Sequence, residues 1–212
     1  MNLEQARTNM VEQQIRTWEV LDQEVLDLLY VVPREDFVPA QHRALAFSDL
    51  EIPIADGERM WQPKLEARVL QELNLRKTDK VLEVGTGSGY QAAVLSELVR
   101  EVYTIEIVPE LAARAEALLR SLSRTNVRVR AGDGYAGWPE QAPFDRIIVT
   151  AAPEELPRPL IDQLADGGLL VAPVGRQSAP QWMTVVEKTG TGVVERRTIP
   201  VQFVPFTRGP GR

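Results

Sequence analysis

From Lys80 onward, short apolar runs alternate with amphipathic segments of helical period, and no other feature restricts the fold as much. Strands are expected at residues 80–84, 101–106, 127–131, 145–150 and 168–174, with helices between them at about 89–99, 109–123 and 157–165. A chain that returns through a helix after each strand rejoins its sheet most simply in parallel. The order therefore predicts an α/β fold, a doubly wound, Rossmann-like, mostly parallel sheet covered on both faces. The tail departs from this pattern. Residues 181–187 and 193–204 read as consecutive strands around Lys188-Thr189-Gly190-Thr191-Gly192, which predicts antiparallel C-terminal edge strands.

Upstream of Lys80 the period is different. Met10, Val11, Ile15, Val20 or Leu21, Val25, Leu28 and Leu29 recur at near-helical spacing, predicting one helical run from Leu3 to about Tyr30 that Pro33 ends. Residues 33–63 hold Pro39, Pro53 and Gly57 and read as a loop-rich connection. Residues 64–75 return to a helix, with Leu65, Val69, Leu70 and Leu73 on one side.

Charge and composition exclude several functions. A net charge of -6 and a pI near 5.0 argue against an electrostatic grip on nucleic acid or an anionic membrane, and no stretch interleaves basic with aromatic residues. With no cysteine and the single histidine His42, neither a thiol nucleophile nor a zinc site is expected, so no metal is predicted. The N-terminus lacks a basic-then-apolar leader and no apolar run reaches membrane-spanning length, so a cytoplasmic protein is expected.

The chemistry concentrates after the first predicted strand of the sheet, in KVLEVGTGSGYQ. Gly85, Gly87 and Gly89 allow a sharp turn and close approach of a ligand, and the helix that follows offers unpaired N–H groups at its start. A glycine trio is also compatible with a tight turn and no ligand. Glu106 closes the next strand, where a carboxylate can accept from both hydroxyls of a ribose. Asp133 follows the third strand in AGDGY, and Gly134 beside it would let the backbone approach an adenine edge. Taken singly, each acid could be a helix cap or a surface group.

The G-x-G-x-G spacing, with acids after the second and third strands, resembles the class I S-adenosyl-L-methionine-dependent methyltransferases. VLEVGTGSGYQAAVL, the long run from GDGYAGWPEQAPFDRIIVTAAPEELP to LLVAPVG, and VQFVPFT are similar to the protein-L-isoaspartate O-methyltransferases in particular. MVEQQIR, VPREDFVP and the IPI after FSD match more loosely. The resemblance implies methylation of the misplaced carboxylate of an L-isoaspartyl residue in a protein or peptide, with S-adenosyl-L-methionine as cofactor. It places Gly85, Thr86, Gly87, Ser88 and Gly89 around the methionine end of the cofactor and counts Gln91 among the cofactor-binding residues. Glu106 would hold the ribose and Asp133 and Gly134 the adenine, with Thr207 closing the site. Thr150, Ala151 and Ala152, with Val204 and Pro205, fall on the substrate side. One domain over residues 1–212 is expected: a helical, substrate-side extension (1–78), a cofactor-binding core (79–188) and a C-terminal strand and substrate-side segment (189–212). A monomer is expected. Because a carboxylate is already ionised near neutral pH, the reaction needs positioning and desolvation rather than a catalytic base.

One position departs from the resemblance. Where the family has a serine in an I-S-Q-P stretch, this chain reads Met60-Trp61-Gln62-Pro63. An indole offers one N–H on a large rigid body and cannot reproduce a hydroxyl. Three readings stay open: Trp61 is packing while Arg59, Gln62 or backbone N–H groups hold the acceptor carboxylate; Trp61 lines a pocket reshaped for another carboxylate or small-molecule methyl acceptor; or Trp61 plugs the site, leaving a cofactor-binding protein with little catalysis.

Overall fold

A computed structural model describes residues 2–55 and 57–207. The expected N-terminal helical run is interrupted. Helix α1 (Leu3–Asn9) widens into a π-helical turn at Met10–Ile15 and tightens to a 3-10 turn at Arg16–Trp18, where Glu19 adopts a left-handed conformation with φ 59°. Met10, Val11 and Ile15 are all fully buried, and the wide turn lets them share one face. A new helix, α2 (Gln23–Val31), then starts from Asp22, whose carboxylate accepts from the amides of Glu24 and Val25. Hydrophobic spacing carries no signal for such a break, whereas the capping aspartate does.

The loop-rich connection holds a small antiparallel pair, β1 (Ile52–Ala55) and β2 (Glu58–Met60), which the punctuation by proline and glycine concealed. Helix α3 (Pro63–Leu73) follows, with proline at its first position and Asn74 in the left-handed C-cap conformation. The core then runs β3 (Lys80–Val84), α4 (Tyr90–Leu98), β4 (Glu101–Glu106), α5 (Pro109–Ser121), β5 (Val127–Ala131), β6 (Phe144–Val149), α6 (Arg158–Asp162), β7 (Leu164–Val174), β8 (Gln181–Thr189) and β9 (Gly192–Val201).

Two boundaries differ from expectation in β7 and β9. Strand β7 begins at Leu164, paired with Phe144 ahead of a register shift, so α6 is cut to five residues where a longer helix was expected. Strand β9 ends at Val201 because Phe203 turns away, its amide donating to Gln181 Oε1 at 2.7 Å.

The seven-stranded sheet has the order β5-β4-β3-β6-β7-β8-β9, parallel through β7 and antiparallel for the last two pairs. The doubly wound sheet and its antiparallel edge are thus as the sequence predicts. From β3 the chain winds outward to β5, then crosses back to β6 on the other side. That reversal opens a crevice at the carboxyl ends of β3 and β6, where open α/β sheets bind ligands. The N-terminal helices share one apolar cluster with the sheet, from Met10 and Leu29 through Leu70 and Val94 to Ile148 and Val171. The extension is therefore fixed beside the crevice. No helix among the described residues is long and apolar enough to cross a membrane.

Candidate active site

Gly85 leaves β3 with φ 100°, and a Cβ there would stand 2.0 Å from Thr150 Oγ1. That closeness is used: the Thr150 amide donates to Val84 O at 2.9 Å, and its hydroxyl lies 2.8 Å from Gly85 O and 3.0 Å from Val84 O. Only glycine permits this seam between the ends of β3 and β6. The turn is completed by the Gly89 amide donating to Thr86 O at 2.9 Å, and Gly89 then caps α4 in the left-handed conformation.

Glu106 ends β4 with its side chain folded toward that turn. Its Oε2 accepts from the Gly87 amide at 2.7 Å and its Oε1 from the Val108 amide at 3.0 Å, and the residue is 4% exposed. Below it runs a buried chain of hydroxyls. Thr104 donates to Glu83 Oε2 at 2.6 Å, so the 2.6 Å contact between Thr86 and Thr104 must have Thr86 as donor. Glu83 Oε1 and Gln91 Oε1 are buried without a partner among the described residues. Burial pushes the Glu83 carboxyl up to about 8, against the Thr104 hydrogen bond and helped by Glu106 and Glu66.

On the far wall, Trp61 is 7% exposed and held from three sides. Its indole Nε1 donates to Thr150 O at 3.1 Å, its ring packs on Phe203 at 4.4 Å, and its carbonyl accepts from Arg34 at 2.7 Å. Arg34 is itself fully buried, ion-paired with Glu66, bonded to Ala46 O at 2.7 Å and set over the Tyr90 ring. Burial raises the Glu66 carboxyl and Arg34 opposes the shift. The C-terminal segment closes the remaining side: the Ala152 amide donates to Val204 O at 2.8 Å and the Phe206 amide returns to Ala152 O at 3.0 Å.

These walls enclose a cleft of about 830 Å³, its open mouth included. Arg59, Trp61, Gln91, Glu106, Gly134 and Thr207 line it together with the turn from Gly85 to Ser88. Thr150, Ala151, Val204 and Pro205 also reach it. Four of the sequence candidates do not. Gln62 belongs to a neighbouring groove and starts α3, its carbonyl accepting from Leu65 and Glu66; Gly89 packs against Ala115; Ala152 is spent on the C-terminal segment. Asp133 lies off the cleft wall and accepts from the Tyr135 amide at 2.8 Å. Sequence reasoning missed Ile54, Glu58, Met60, Glu66, Glu83 and Phe206 on the wall. Glu83 was legible, since a glutamate inside an otherwise apolar strand next to the glycine turn is costly unless used. Among the described residues no cluster suits a metal ion.

Of the charged side chains lining the cleft, four are glutamates (Glu58, Glu66, Glu83 and Glu106) and one is an arginine, Arg59. A dinucleotide pyrophosphate would face carboxyls here with little counter-charge, whereas a nucleoside with a cationic tail would not. The fold and cleft are those of a Rossmann-like protein of the class I methyltransferase type, built for a nucleoside cofactor without phosphates. A family model described as protein-L-isoaspartate(D-aspartate) O-methyltransferase matches residues 5–211. The chain belongs to that family. It is 53% identical over 199 residues to the protein-L-isoaspartate O-methyltransferase of Gloeobacter violaceus, covering 94% of this chain and 97% of that one. It is 46% identical over 209 residues to the enzyme of that name from Opitutus terrae, covering 97% and 90%. Among solved structures, one called protein-L-isoaspartate O-methyltransferase superposes with a TM-score of 0.85 at 28% identity, over 97% of this chain and 67% of the other. A Plasmodium falciparum protein described as such an enzyme in complex with S-adenosyl-L-homocysteine shares the fold, with a TM-score of 0.80 at 21% identity over 96% and 99%.

Proposed function

We propose that the chain is an S-adenosyl-L-methionine-dependent methyltransferase that esterifies the carboxylate of L-isoaspartyl residues in damaged proteins or peptides, its whole length acting as one domain. Beyond family membership, the observation that carries this reading is the carboxyl-rich switch-point cleft, with Glu106 at the end of β4 and one arginine among the charged groups on its wall. The residues present fit the cofactor. Glu106 has lone pairs left for ribose hydroxyls beyond its two backbone donors, and the orphaned Gln91 Oε1 is an acceptor matched to an ammonium group, which the Glu83 carboxyl would join on giving up its proton. Gly134 supplies a flat wall, because a Cβ there would lie 2.3 Å from Val84 Cγ1.

When bound, the cofactor supplies an electrophilic methyl group. An acceptor carboxylate oxygen forms the new C–O bond as the carbon–sulfur bond breaks, leaving a methyl ester and S-adenosyl-L-homocysteine. No proton needs to move. The chain's work is to hold the two reactants in line and dry, which the Trp61–Phe203 wall and the segment from Val204 to Thr207 do by covering the cleft. Trp61 lines the cleft without filling it, and its N–H is already committed to Thr150. The packing reading of Trp61 is the one these contacts support.

The test is incubation with labelled S-adenosyl-L-methionine and a protein aged to accumulate isoaspartate. Label that enters the aged protein, is lost in mild alkali as an ester must be, and is absent from the fresh protein supports the proposal. Equal labelling of fresh and aged protein, or none, refutes it.

A further inference from the structure

If Trp61 is wall, something else must receive the acceptor carboxylate. Trp61 has a single side-chain N–H, and Thr150 O occupies it at 3.1 Å. Gln62 faces the adjoining groove. Ser88 and Thr207 line the cleft but are neutral. Arg59, on β2, is the one basic side chain on the cleft wall among the described residues. Arg34 and Arg146 are buried and fully used by carbonyls and carboxylates. Arg59 is exposed and makes no hydrogen bond or ion pair through its guanidinium among the described residues. Its electrostatic neighbour is the half-buried Glu51, whose carboxyl burial pushes up and Arg59 pulls down.

The position of Arg59 adds a second observation. Beside the cofactor cleft lies an open groove lined by Trp18, Leu50, Glu51, Gln62, Pro200 and Gln202, among others, and Arg59 lines both cavities. A chain lying in the groove would pass a pendant carboxylate into the cleft across this guanidinium. Resting on the isoaspartyl reading above, we propose that Arg59 is the acceptor-binding residue: it holds the isoaspartyl carboxylate at the junction while the flanking peptide lies in the groove between Trp18 and Pro200. The guanidinium fork suits a carboxylate: it holds both oxygens in one orientation, and each keeps a second lone pair with which to attack the methyl group. A cation also discriminates in the right direction. The ester product is neutral, so the contact that binds substrate weakens once the methyl group has been transferred.

The experiment measures steady-state kinetics with a short isoaspartyl peptide for wild type, Arg59→Ala and Arg59→Lys, together with calorimetric binding of S-adenosyl-L-homocysteine. Because Arg59 is exposed and its guanidinium makes no hydrogen bond among the described residues, both variants should fold and bind S-adenosyl-L-homocysteine as wild type does. Arg59→Ala should raise the peptide KM by roughly 10- to 100-fold, the range for a charge-assisted contact, with a smaller change in kcat. Arg59→Lys should recover part of the loss, as a point charge without the fork would. The wild-type KM should rise with ionic strength and that of Arg59→Ala should not. An active wild type whose KM is matched by Arg59→Ala overturns the proposal and leaves the methyltransferase reading intact. A wild type inactive on the isoaspartyl peptide overturns both.

Discussion

Replacing Glu106 by alanine is the sharpest probe of how the cleft holds its nucleoside. In the free protein the carboxylate accepts two backbone N–H groups, from Gly87 and Val108, and a bound ribose would add two hydroxyl donors. Hydrogen bonds to a charged group contribute about 1.5–3 kcal/mol each, so losing the ribose pair removes about 3–6 kcal/mol of binding. At 1.4 kcal/mol per decade this corresponds to about 100-fold at the low end, where water takes over part of the hydroxyls' bonding, and more at the high end. The variant also strands the Gly87 and Val108 amides, at about 1–3 kcal/mol each, so its unfolding transition must be recorded first and binding measured well below it. Isothermal titration with S-adenosyl-L-homocysteine is the assay, and Glu106→Gln should fall between the two because one acceptor oxygen remains. A folded Glu106→Ala protein whose affinity stays within about threefold of wild type would refute the assignment of ribose to this carboxylate.

Three further outcomes follow from the same contacts. Gly134→Ala should destabilise the protein by about 1–3 kcal/mol through the clash with Val84 Cγ1, and Val84→Ala in the same chain should recover part of it; simple addition of the two losses in denaturant titrations would contradict the steric account. Because the folded Glu83 carboxyl lies at about 8 against an ordinary 4.5, the native protein keeps a proton that the unfolded chain releases. Its stability contribution is therefore present at low pH and is lost as pH rises through that window, at up to about 1.4 kcal/mol per pH unit. Glu83→Gln should flatten this fall in thermal melts across the window, and an unchanged slope would show that Glu83 is ionised throughout. Trp61→Phe removes the N–H donor to Thr150 O and part of the ring packed on Phe203, so it should cost about 1–4 kcal/mol in a melt while leaving the isoaspartyl KM unchanged; a large rise in KM would mean the indole N–H binds the acceptor.

Much of this molecule could be read from its residues alone. The strand-helix alternation after Lys80 yielded every parallel strand of the sheet, because the inner strands are largely apolar on both faces, the edge strand β5 alternates Val with Arg, and the helices between are amphipathic. The glycine turn and Glu106 could be placed for the same reason, since the strand ends fix where the crevice lies. What stayed hidden depends on contacts far apart in sequence. The break between α1 and α2 is pinned by Gln71 Oε1, which accepts from the amides of Leu21 and Asp22 at 2.7 and 3.0 Å, about fifty residues away. Arg34 reads as an ordinary charged residue in VPREDFVP, yet it is buried because Glu66, Ala46 and Trp61 converge on it. The orientation of Trp61 depends on the Thr150 carbonyl and Phe203, and local pattern contains neither. Asp133 was placed from its position after the third strand and Gln62 from the family's motif, and both lie off the cleft wall, engaged as a cap and at the start of α3.

The most direct test of the account is a comparison of initial rates of methyl transfer to two short peptides that differ only in whether one aspartate is joined through its side chain or its main chain. Transfer to the isoaspartyl peptide is expected, with stoichiometric formation of S-adenosyl-L-homocysteine, and none above background to the aspartyl peptide. Equal rates on both, or no transfer by a preparation that binds S-adenosyl-L-homocysteine, would contradict it.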